Sequence, residues 1–214
     1  MRVVNNSWGS TGRFDPQHPI NVATKRLADR GIVIVFAGGN EGPAPNTMNP
    51  YSLAPWVISV AAGCKLGPDP TNSRVHCVDP LGRDSVLADF SSRGVPGDTM
   101  VHPDLLAPGV HTVSTRSSTG AFVSAVALTH DARICAIAPE HVPFYTCISG
   151  TSMAAPVVTG VVALMQEAAG GRLRPLEVLQ LLQETARPLR GFETWEVGAG
   201  YLDAYRAVLA ARAR

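Results

Sequence analysis

The sequence predicts an α/β domain: a mostly parallel sheet with helices on both faces. Three observations carry this. The run "IVIVFA" at 32–37 is continuous, apolar and largely β-branched, the pattern of a strand buried on both faces. The run "WVISVAA" at 56–62 has the same character. Ahead of the first run, Val22, Ala23, Leu27 and Ala28 recur at helical spacing, and a short apolar stretch at Val3 and Val4 precedes them. Strand, helix, strand in that order is the βαβ unit of a parallel sheet.

The elements follow in chain order. Val3 and Val4 open a strand that ends in the turn-prone "NNSWGSTG". A helix is expected over 20–30, with Gly31 placed to cap its C-terminus. The strand at 32–37 stops abruptly at "GGNEGPAPN", and the strand at 56–62 follows. Residues 63–84 are polar and turn-rich, and 114–146 are mixed, with "AFVSAVAL" fitting either a strand or a short helix. The apolar run around 154–165 is too short and too interrupted to cross a bilayer and is expected to be a buried helix. Two more helices are expected, at 175–186, where Pro175 suits a first helical position, and at 202–213.

Composition narrows the function. The 214 residues suit one domain, and 45% hydrophobic with 16% charged residues describes a chain able to bury a core. Net charge is +1 with no dense Lys/Arg cluster, which supports neither a nucleic-acid partner nor an electrostatic membrane anchor. No basic and apolar leader follows Met1, so no signal peptide is read. The four cysteines fall into local pairs, Cys64 with Cys77 and Cys135 with Cys147, with no zinc-type spacing. Two loop-closing disulfides are expected, the alternative being free thiols in a reducing cell.

Two stretches carry chemistry. In "SGTSMAAP", Ser152 sits among small residues at the start of the buried helix. A serine hydroxyl needs a base before it is a useful nucleophile. The pattern approaches the nucleophile elbow of α/β-hydrolases, but those place the histidine after the serine, and the last histidine here is His141. That reading falls. In "FAGGNEGP" a buried strand ends at Gly38 and Gly39, and Asn40 follows. Ligands bind at that end of an open α/β sheet. An Asn amide there can donate to an oxyanion, or it can simply cap the strand.

Together, "NNSWG" (5–9), "VIVFAGGNEGP" (33–43), "ADFSSRG" (88–94), "HPDLLAPGV" (102–110), "SGTSMAAPVVTGVVALM" (149–165) and "GAGYLDAYRAV" (198–208) resemble successive blocks of the subtilisin-like serine proteases. The resemblance implies a subtilisin-like three-layer sandwich and a serine endopeptidase acting on protein or peptide substrates through an acyl-enzyme. It assigns Ser152 as nucleophile and Asn40 as side-chain oxyanion donor, with Thr151 beside them. It assigns Ser7, Trp8 and Gly9 to the segment that pairs with an extended substrate, and Ala37, Gly38 and Gly39 to the wall of the pocket for the side chain ahead of the scissile bond. Trp8 also reads as a core aromatic, and the blocks at 90–94 and 103–109 read as structural. Pro55 falls where the family often has a cis proline. Calcium is possible by resemblance, although no EF-hand-type loop is present. Secretion is implied by family and cysteines, and oligomeric state is left open.

The same resemblance shows what is missing. The family orders its triad Asp, His, Ser. No D-[ST]-G block and no H-G-T-H block occurs here, and His18, His76, His102, His111, His130 and His141 all read as surface or turn histidines. The chain is therefore expected to be the C-terminal part of a catalytic domain, inactive alone, with the missing strands leaving an apolar sheet edge. The alternative is a degenerate, non-catalytic relative that binds peptides or a partner.

Overall fold

In the computed structural model, residues 1–66, 77, 86–117 and 131–214 are described. The stretch "AFVSAVAL" and His76 and His130 lie outside them.

Strands β1 (Val3–Asn6), β2 (Val33–Ala37), β3 (Ile58–Gly63) and β4 (Leu105–Pro108) form a parallel sheet in the order β1-β2-β3-β4. Val3 pairs with Val33, Val35 with Ile58 and Val60 with Leu105. A second, antiparallel ribbon joins β5 (Thr112–Thr115) and β6 (Tyr145–Ile148). The helices are α1 (Pro19–Ala28), α2 (Thr151–Ala168), α3 (Pro175–Thr185), the single turn α4 (Thr194–Val197) and α5 (Ala204–Arg212).

Strand periodicity sorts the core into two faces. Val33, Val35 and Ala37 of β2 join Ile58, Val60 and Leu105 under α2, α3 and α5. The alternate residues Ile34 and Phe36 point the other way, onto Ala54, Val57, Ile20 and Leu27 of the α1 side. Helices thus cover both faces, giving the three-layer α/β arrangement. The continuous apolar pattern of β2 follows from this, because both of its faces are dry.

Local chemistry sets the ends. At the end of α1 the Gly31 N–H donates to Ala28 O and the Ile32 N–H to Leu27 O, with Gly31 at φ +81°. That is a Schellman cap, and its left-handed residue costs least as glycine. The strand expected from Trp56 begins at Ile58, because Pro55 and Trp56 belong to the turn that closes beneath it.

Some expectations are corrected. Among the described residues the cis peptides are Gly42–Pro43 and His102–Pro103, so Pro55 is not a cis proline. His102 and His111 are not surface histidines: both are buried, His102 beside Asp104 with Nδ1 and Oδ2 3.4 Å apart. Single-residue patterns missed this because their burial comes from chain segments packed around them. Cys64–Cys77 and Cys135–Cys147 are disulfide-bonded, and no described cysteine is free.

Candidate active site

The C-terminal ends of β1 and β2 and the N-terminus of α2 meet in a cleft of about 560 Å³. Ser7, Trp8 and Gly9 leave β1 on one side. Ala37, Gly38 and Gly39 leave β2 on the other. Ser152 lies in the first turn of α2, whose N-cap is Gly150. In that turn the Thr151 N–H donates to Asn40 Oδ1 and the Met153 N–H to Gly150 O, and the helix dipole favours negative charge beside Ser152.

Asn40 is exposed to the cleft but held firmly. Its Oδ1 accepts from the Thr151 N–H and from Thr151 Oγ1, both at 2.9 Å. An amide whose oxygen is engaged twice has only its Nδ2 hydrogens to offer. Thr151 is buried, and its Oγ1 also accepts from the Gly39 N–H at 3.1 Å. One hydroxyl therefore joins the β2 loop to the helix start and fixes the direction of the Asn40 donor. Behind this loop stands the block at 88–94. Ser92 Oγ accepts from the Glu41 N–H at 3.0 Å, and the Ser92 N–H donates to Gly39 O at 3.0 Å. A side chain at position 39 would lie 2.6 Å from Ser92 Oγ, and φ is +118° there, so glycine is required twice over. The "structural" block thus supports the site directly.

Ser152 is tied to Ser7 in both directions. Ser152 Oγ donates to Ser7 O at 3.2 Å, and Ser7 Oγ donates to Ser152 O at 2.7 Å. The second bond has a cause in sequence. Pro156 lies inside α2, four residues after Ser152, and has no N–H to give to Ser152 O. Ser7 fills that vacancy from 145 residues away. Among the described residues no histidine hydrogen-bonds Ser152. His18 Nδ1 instead accepts from the Ile20 N–H at the start of α1.

Trp8 packs one side of its ring on the core. It is 47% exposed at the cleft, yet its ring meets Phe36 edge-on at 5.3 Å and Tyr51 at 5.6 Å. One residue the sequence did not single out is Asn49. It is buried and lines the cleft between the two walls. In "NTMNPY" it reads as an ordinary turn residue, and nothing in the local sequence marks it.

Among the described residues, the acidic, histidine or cysteine groups close enough to share an ion are Asp131, Cys135 and Cys147. The two sulfurs are joined to each other and the carboxylate is paired with Arg116. That donor set does not suit calcium, which takes six to eight oxygens.

Comparison with known proteins agrees with this architecture. The model of the subtilase family matches residues 1–201. The chain is 31% identical over 202 residues to serine protease AprX of Bacillus subtilis, covering 94% of this chain and 41% of that protein. It is 31% identical over 211 residues to an extracellular protease of Xanthomonas campestris, covering 98% and 28%. Among solved structures, the patellamide maturation protease PatA superposes with a TM-score of 0.65 at 22% identity, over 99% of this chain and 63% of that one. The chain thus spans less than half the length of these curated relatives.

Proposed function

We propose that this chain, which belongs to the subtilase family, carries the nucleophile, oxyanion donors and substrate-pairing segment of a serine endopeptidase. The observation that carries the reading is the convergence of three features. Ser152 sits in the first turn of α2, the Asn40 amide is aimed by Thr151, and the β1 extension runs beside both.

An extended peptide laid along Ser7–Gly9 adds a strand there and presents its carbonyl to Ser152. Oγ attacks the carbonyl carbon and its proton passes to a base. The oxygen, now negative, is held by the Ser152 N–H and the Asn40 amide. A donor of this kind lowers the barrier by about 3–4 kcal/mol. Collapse expels the amine, which takes that proton back from the base, and leaves an ester on Ser152, which water then hydrolyses. The base and its orienting carboxylate belong to the Asp and His blocks that this sequence lacks. The chain alone therefore hydrolyses peptides near background, since losing the histidine costs subtilisin about 10⁶ in rate. The extracellular relative and the two disulfides support secretion of the parent protein.

The test compares hydrolysis of a denatured protein by the 214-residue chain and by the same chain extended with its in-frame upstream sequence. Background activity for the first and robust activity for the second, abolished by Ser152→Ala, is expected. Activity that survives Ser152→Ala sinks the reading. An upstream sequence without Asp and His blocks turns it into the peptide-binding alternative.

A further inference from the structure

The slot between Gly9 and Gly39 has a floor, and that floor is Asn49. Its Nδ2 donates to Trp8 O at 3.1 Å on one wall and to Ala37 O at 3.0 Å on the other. Its Oδ1 accepts from the Tyr51 N–H at 3.2 Å, and its backbone N–H donates to Gly38 O at 2.7 Å. One buried side chain therefore bridges the slot from wall to wall. Both donors of its amide are used, one on each wall, and its oxygen is held by a backbone N–H. A Cβ at position 9 would lie 2.5 Å from Asn49 Nδ2, so Gly9 leaves the room that the bridge occupies. Buried Met48 backs the Gly38 wall, where its methyl lies 3.2 Å from a would-be Cβ.

We propose that Asn49 is a specificity-determining residue: its cross-braced amide closes the bottom of the slot and restricts it to short, uncharged side chains ahead of the scissile bond. This rests on the reading of the slot given under the proposed function. A long side chain must displace the amide and leave the Trp8 and Ala37 carbonyls without their donor. A lysine side chain gains no anion at the floor, because the Asn49 amide is neutral and both of its N–H groups already donate to the two walls. Glu41 lines the cleft from an exposed position and is the carboxylate among its lining residues.

Peptide boronic acids test this on the 214-residue protein. Serine Oγ adds to the trigonal boron, its proton leaves to solvent, and the tetrahedral boron bears a hydroxyl in the oxyanion position. Acetyl-Ala-Ala-Pro peptides ending in the boronic analogues of alanine, phenylalanine and lysine are titrated by calorimetry. Ser152→Ala is the control. The wild type is expected to bind the alanine analogue about tenfold or more tighter than the other two, the scale on which a pocket rejects a misfitting side chain. Asn49→Gly is expected to bring the phenylalanine analogue to within about threefold of alanine. Asn49→Ser, which retains a small polar group, serves if the glycine variant does not fold, and is expected to shift the ratio the same way. A wild type that prefers phenylalanine or lysine overturns the proposal, as do folded variants with the wild-type ratio. A purely structural role would weaken all three analogues alike and leave the ratio unmoved. Where only the chain extended with its in-frame upstream sequence forms a Ser152-dependent adduct, the same ratios are read there; absence of the adduct in both is the separate failure of the serine-protease reading.

Discussion

Replacing Thr151 with valine keeps the shape of a buried side chain and removes one hydroxyl. That hydroxyl accepts from the Gly39 N–H and donates to Asn40 Oδ1. Its loss leaves the half-buried Gly39 N–H without its partner and Asn40 with one hydrogen bond in place of two. The net value of such a bond, together with an incompletely solvated donor, places the destabilisation at about 1–2 kcal/mol. At about 2–4 °C per kcal/mol for a chain of this size, the melting temperature falls by about 2–8 °C. The functional effect is larger than the stability effect suggests. The Asn40 donor is no longer held in one direction, and affinity for the alanine boronic acid is expected to fall about tenfold, part of the 10²–10³ loss that follows complete removal of such a donor. Thr151→Ser keeps the hydroxyl and is the control. It removes a methyl group worth about 0.8 kcal/mol and should leave boronate affinity within about threefold of wild type. Calorimetric titration and thermal melts read both quantities. If the valine variant binds boronate as tightly as wild type, or the serine variant is as weak as the valine one, the hydroxyl does not aim Asn40.

Three further outcomes are expected. Burial pushes the Tyr201 phenol up to about 12 from its usual 10, while its hydroxyl donates to Cys64 O. The unfolded chain therefore loses this proton first, so the contribution is full below pH 10 and drains away as pH climbs from 10 to 12. Tyr201→Phe should show a flatter loss of urea stability across that window, and an unchanged slope refutes the assignment. Met165 is fully buried under the sheet, and Met165→Ala should cost about 2–5 kcal/mol with the denaturant slope unchanged. Replacing Cys64 and Cys77 together by serine opens a link of sequence separation 13 and should cost about 3 kcal/mol in nonreducing melts. An unshifted melting temperature would show the link contributes nothing.

What the sequence made legible was the part that writes itself locally. β2 was visible because both its faces are apolar, and α1 because its stripe ends at a glycine cap. The positions of Ser152 and Asn40 stood out through their small-residue surroundings, and the fold follows from the order of the blocks. Asn49 stayed hidden because its partners are the backbone carbonyls of Trp8 and Ala37, which any residue type would supply. Ser92 was hidden for the same reason, since it supports the Gly39 and Glu41 backbone. His102 and His111 looked like turn residues because Pro103 follows the one and Pro108-Gly109 lie just ahead of the other. Their burial comes from the chain that closes over them, which no local window contains.

The paired hydrogen bonds between Ser7 and Ser152 make the nucleophile a clock for folding. They join segments 145 residues apart, so the entropy of closing that span must be met before either bond can form. Local elements such as α2 can assemble early, yet Ser152 is not set in its final place until β1 arrives. A boronate or other serine-directed probe added during refolding therefore reports this long-range closure, while helical signals report local structure. A chain released before that closure holds a helix and a serine but no site, which keeps a reactive hydroxyl idle until the polypeptide around it is complete.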